Sequence, residues 1–147
     1  MSQPKDPIKI TKLEGYEQTI YQKSGTIGRL NEVYRKTHLF LTDIKERMSG
    51  YIGGSDLKTE DGYKWNFGYK FKVKKWFKEG EVVVLFPKFS GARFETKLDR
   101  SVAIYTKGKV RSADLDKILS GIVDNMEEVY HNLTEHRRTE DISSVNK

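Results

Sequence analysis

The chain has no cysteine, so disulfides and cysteine-held metals are excluded. No apolar run approaches the roughly 18 residues that a membrane-spanning helix needs, and no membrane role is expected. The first residues, Met1-Ser2-Gln3-Pro4-Lys5-Asp6-Pro7, contain no hydrophobic signal core. An intracellular protein, cytoplasmic or nucleoid-associated and not secreted, is the expectation. Phosphate-cradling glycine motifs are also missing, because Gly50, Gly53 and Gly54 have neither the spacing nor the preceding strand. The histidines are scattered. His131 and His136 lie five residues apart, not at the helical spacing of a metal pair. A catalytic role, a bound metal and a cofactor are therefore not expected.

Acids are missing from one stretch. Between Tyr63 and Lys78 there are six lysines and no Asp or Glu. The whole chain of 147 residues carries 27 Lys and Arg against 21 Asp and Glu, a net of +6. The lysines of this one segment equal that net, so the remaining residues sum to zero. Such a concentrated charge points to a polyanionic partner.

Residues Tyr63 to Val73 alternate strictly. Tyr63, Trp65, Phe67, Tyr69, Phe71 and Val73 occupy one parity, and Lys64, Lys70 and Lys72, continued by Lys74, lie on the other. Period two is a strand, with one aromatic face and one row of ammonium groups. Lysines on alternate positions lie about 6.6 Å apart, close to the rise per nucleotide of an extended single strand. A solvated sheet face guarded against edge pairing is the plainer reading of the same lysines. The alternation slips at Lys74-Lys75, as at a bulge, and turns one of Trp76 and Phe77 outward. An exposed Trp beside lysines is a platform for base stacking.

The rest of the chain reads as an α+β domain. Residues 1–25 form an arm and 26–134 a single domain, followed by a polar tail at 135–147. Leu30, Val33, Tyr34, Thr37, Phe40, Leu41, Ile44 and Met48 recur at helical spacing, with Ser49-Gly50 as the stop. His38 to Leu41 also fits a short strand. The strand beginning at Tyr63 turns at Lys78-Glu79-Gly80. Glu81 to Phe86 is apolar on both faces and reads as a central strand ended by Pro87. Arg93 to Leu98 and Val102 to Thr106 supply further strands. Ser112 caps a long amphipathic helix whose stripe includes Leu115, Leu119, Ile122, Met126 and Val129. The expected architecture is an antiparallel sheet of three to five strands, backed by that C-terminal helix, with an additional N-terminal helix.

Several segments carry a family resemblance: Tyr69-Lys70-Phe71-Lys72-Val73, the turn Phe77-Lys78-Glu79-Gly80, Glu81 to Phe86, and Val102-Ala103-Ile104 leading through Lys107-Gly108 to the Ser112 helix. Residues 63–134 resemble the positive-cofactor-four type of single-stranded-DNA-binding coactivator. The resemblance implies that Lys70, Lys72, Lys74 and Trp76 contact DNA. It also implies a homodimer in which Leu119, Ile122 and Met126 lie at the interface. A helix, three strands and a helix are likewise the order of double-stranded-RNA-binding domains. Here only Lys107, Lys109 and Arg111 precede an acidic helix, without the lysine cluster of that family.

The expected function is non-catalytic, sequence-tolerant nucleic-acid binding with single-stranded DNA preferred. The expected contact residues are Lys64, Lys70, Lys72, Lys74, Lys75, Trp76, Lys78, Arg93 and Lys97. The alternative is a small inhibitor or adaptor, of the phage type, that docks its basic face on an acidic protein.

Overall fold

In the computed structural model, the described residues are 15–19, 24–53, 57–59, 61–91 and 96–145. The helical pattern near the N-terminus becomes two helices rather than one. Helix α1 spans Ser24–Lys36 and α2 spans Leu41–Arg47, with a 3-10 turn over His38–Phe40 between them. The break follows from Thr37. Its buried hydroxyl donates 3.0 Å back to the Tyr34 carbonyl, which competes with continuation of the helix. The short-strand reading of His38 to Leu41 is thereby corrected. Gly50, at φ +83°, takes the chain out of α2, and its carbonyl accepts from the Lys70 N–H at 2.8 Å.

Strand β1 is Glu17–Gln18, β2 is Tyr51–Gly53, β3 is Phe67–Lys75, β4 is Lys78–Phe86 and β7 is Ala103–Gly108. They form one antiparallel sheet in the order β1-β7-β4-β3-β2. The doubly apolar β4 lies at its centre, as its pattern predicts. Strands β5 (Phe89–Ser90) and β6 (Lys97–Leu98) pair with each other in a separate ribbon. The neighbour of β4 is therefore β7, and Lys97 does not extend the lysine-bearing face. Arg93 lies outside the described residues.

Helix α3 runs Ser112–Val145, through the stretch read from sequence as a polar tail. It and α1 cover one face of the sheet. Leu30, Val33 and Tyr34 of α1 meet Leu119, Ile122 and Met126 of α3 over Phe67, Tyr69, Val82, Val84, Phe86 and Ile104. Phe67 and Phe86 stack at 4.8 Å, and Tyr34 meets Phe86 edge-on at 4.9 Å. The Tyr34 hydroxyl donates to the Pro87 carbonyl at 2.6 Å, which satisfies the polar end of a buried ring.

The opposite face is half covered. Ile52, Leu57, Trp65, Val83, Leu85 and Ala103 make a second cluster there, flanked by Tyr16, Tyr63 and Tyr105. Period-two parity placed Tyr63 and Trp65 with Phe67, and the structure puts them on the other side. The reason is a bend at Asn66, just before β3 begins, which resets the alternation. Trp65 is then held by backbone pairing to Leu57 and by its indole N–H, which donates to Thr59 Oγ1 at 3.0 Å. Asp61 ties the same segment to Arg100 at 2.7 Å. Hydrogen bonds from Thr59 and Arg100 hold its carboxyl down at about 2.

Candidate nucleic-acid interface

The pleat of β3 divides its lysines. Lys70, Lys72 and Lys74 point to the open face, whereas Phe67, Tyr69, Phe71 and Val73 point to the helices. Lys64 sits outside β3, in an isolated bridge with Lys58, so the row of four lysines loses its first member.

That open face is not purely basic. The register sets Lys72 opposite Glu81 and Lys74 opposite Glu79, and Glu81 opposite Lys107 on β7. Lys70 reaches Glu81 at 3.1 Å, and Lys74 approaches Glu79 at 3.7 Å. Glu81 also accepts from the Tyr16 hydroxyl at 2.5 Å. That bond first, and Lys70 and Lys107 after it, keep the Glu81 carboxyl below the usual range. No acid interleaves along β3 itself, but β4 supplies two acids across the strands. The lysine run alone could not show this, because cross-strand partners depend on register.

The far end of the β3–β4 hairpin is different. Pairing continues without a bulge through Lys74↔Glu79 to Lys75↔Lys78, so Trp76 and Phe77 form the two-residue loop. The turn thus falls two residues earlier than the sequence reading placed it, and both rings point outward rather than one. Trp76 is 95% and Phe77 98% exposed. Trp76 has φ +59°, the one positive φ outside glycine among the described residues. A positive φ at the first loop position alone has the sign pattern of a type II′ turn, where glycine is the usual occupant. A bulky residue there is strained.

Gly80 and Gly108 let the strands beside this tip close tightly. A Cβ on Gly80 would lie 2.2 Å from the Lys109 carbonyl oxygen. That approach carries the segment between β7 and α3 against the hairpin. A cleft of about 380 Å³ results, floored by Val73 and Val110 and lined by Lys75, Lys78, Lys109, Arg111 and Asp114 below the two rings. Asp114 accepts from the Arg111 N–H at 3.0 Å and pairs with Lys75 at 3.2 Å. These two contacts, in that order, lower its carboxyl below the ordinary value. Lys109 and Arg111 are the contact candidates that sequence reasoning missed. The signal was the run Lys107-Gly108-Lys109-Val110-Arg111, whose relevance appears only once β7 pairs with β4.

Of the expected contact residues, the structure gathers Lys72, Lys74, Lys75, Trp76 and Lys78 at the hairpin end, with Lys70 further along the open face. Lys64 and Lys97 lie elsewhere. Leu119, Ile122 and Met126, expected at a dimer interface, are almost fully buried in the core of the single chain. They close the helix-covered face of their own sheet and offer no surface for a second copy. Among the described residues, no group of His, Asp or Glu could hold a metal, and no helix is long and apolar enough to cross a membrane. Comparison with known proteins finds no match: no family model, curated protein or solved structure is significantly similar to this chain.

Proposed function

We propose that this is a non-catalytic nucleic-acid-binding protein, sequence-tolerant and preferring single strands, whose contact surface is the end of the β3–β4 hairpin. The observation that carries the reading is the exposure of Trp76 and Phe77 within a collar formed by Lys74, Lys75 and Lys78. Two adjacent rings, each open to solvent, can stack on unpaired bases, at about 1–3 kcal/mol per base. The lysines supply phosphate contacts that carry no sequence preference. In a duplex the bases are already stacked, so the rings gain nothing there without distorting it.

Fluorescence anisotropy with labelled single-stranded and duplex oligonucleotides tests this. The single strand should bind more tightly than the duplex. Contact with about four to six phosphates gives a log–log salt slope of about −3 to −4 for single strands. Equal binding to both forms would reduce the mechanism to phosphate contacts. Binding to neither would favour the reading as an adaptor that docks on an acidic protein. A pull-down returning one specific protein would then be its positive sign.

A further inference from the structure

Two basic surfaces meet at the hairpin end, and the pleat keeps them apart. The open face carries Lys70, Lys72, Lys74 and Lys107 with Glu79 and Glu81 among them. The helix side carries Lys75, Lys78, Lys109 and Arg111 with Asp114 alone. On the open face Lys70 is engaged by Glu81 and only 25% exposed, and Lys74 faces Glu79. On the helix side, Lys78, Lys109 and Arg111 make no ion pair within 4.0 Å among the described residues. The open face has a hollow of about 270 Å³ here, in which Glu79 and Glu81 offset Lys72 and Lys107, whereas the helix-side cleft sets Asp114 alone among its cations. The cleft volume of about 380 Å³ falls within the roughly 300–1,000 Å³ of small-molecule sites.

We infer that the cleft beneath Trp76 and Phe77 is a nucleotide subsite, and that the bound strand leaves the tip through it rather than along the lysines of the open face. The inference rests on the nucleic-acid reading above and assigns the path of the strand. A base stacks on Trp76, and its phosphate enters between Lys109, Arg111 and Lys75. Asp114 holds Lys75 at the mouth and fixes the Arg111 backbone. The Arg111 N–H is not a ligand here, because Asp114 already takes it. The strained backbone of Trp76 fits the same assignment, since it sets a large ring where a glycine would relax the turn.

Two charge-reversal pairs separate the routes. Lys109→Glu with Arg111→Glu alters the cleft, and Lys72→Glu with Lys107→Glu alters the open face. All four side chains are exposed, so neither pair removes core packing. The open-face pair sets two carboxylates across from Glu81 and should lose some stability, which urea unfolding reads. Anisotropy with a labelled single-stranded oligonucleotide should show the cleft pair weakened about tenfold or more, with a flatter salt dependence. The open-face pair should lose less than about threefold. If the cleft pair fails to fold, Lys109→Gln with Arg111→Gln replaces it, and a loss larger than that of Lys72→Gln with Lys107→Gln is expected. A larger or equal loss in the open-face pair overturns the inference while leaving the nucleic-acid reading standing. Wild-type protein that binds neither single strand nor duplex overturns both.

Discussion

The β3–β4 hairpin carries aromatic residues at both ends, and the two sets have opposite fates. At one end Phe67 and Phe86 stack under Tyr34, and all three are fully buried. At the other, Trp76 and Phe77 touch almost nothing. The strands between them are continuous and share one register, so strand propensity does not separate the two sets. Coverage does. Helices α1 and α3 lie over the first end, whereas α3 begins at Ser112, beside the second, and leaves its rings beyond the packed region. Burial explains the first set completely as core. Nothing in the fold requires the second set, and its backbone is strained. Large rings kept where the fold gains nothing from them are the feature that points to a partner.

The largest effect that sharpens this contrast is on the buried side. Phe86→Ala should cost about 3–5 kcal/mol, through lost transfer energy and a cavity beneath Tyr34 and Phe67. Since whole domains are stable by only about 5–15 kcal/mol, urea unfolding will show a large fall in midpoint. Affinity for a single strand should be unchanged under conditions where the variant remains folded. A loss below about 1 kcal/mol would mean that the ring is not packed as described, and the contrast between the two ends would lose its basis.

At the tip the sign should reverse. Trp76→Gly removes a side chain that makes almost no packing contacts and relieves a left-handed backbone that costs about 1–2 kcal/mol for an L-residue. The added freedom of glycine in the unfolded chain returns about 0.4–1 kcal/mol of that gain. The net is a stabilisation of about 1 kcal/mol, or about 2–4 °C in Tm for a chain of this size. The same variant should bind a single strand about tenfold more weakly, since one stacking partner is gone. A lower Tm would show that Trp76 contributes to the fold, and the comparison would fail from its other side.

Much of the fold was legible because its signals are local. The apolar stripe of α3, the double hydrophobicity of β4 and the alternation from Phe67 to Val73 each survive unchanged. What failed depended on events a period cannot carry. A bend at Asn66 sent Trp65 to the opposite face, and the Thr37 hydroxyl split one helix into two. The turn was misplaced because Lys78-Glu79-Gly80 has better turn residues than Trp76-Phe77, and the strained pair was chosen over them. The site was half legible. The lysines of β3 were visible, but the acids opposite them were known only once Glu79 and Glu81 had a register. Lys109 and Arg111 join the tip through β7, which is distant from the hairpin loop along the chain.

The smallest effect concerns Glu81, where the open face is neutralised. Its carboxyl sits below the ordinary value because the Tyr16 hydroxyl, then Lys70, stabilise the charged form. A carboxylate with a depressed folded value contributes stability that is complete above its unfolded value, about 4.3. That contribution is lost as pH falls through the lower folded value. The pair is partly exposed, so solvent screening holds it to under about 1 kcal/mol. Glu81→Gln should therefore lose a little stability at neutral pH and show a shallower loss on acidification below about pH 4. It also frees Lys70 and leaves Lys72 and Lys107 without the charge between them. A strand running over the open face would bind this variant severalfold more tightly, whereas one leaving through the cleft would bind it with nearly wild-type affinity. The second result is expected, because the cations that matter then lie on the side of the pleat that Glu81 does not face.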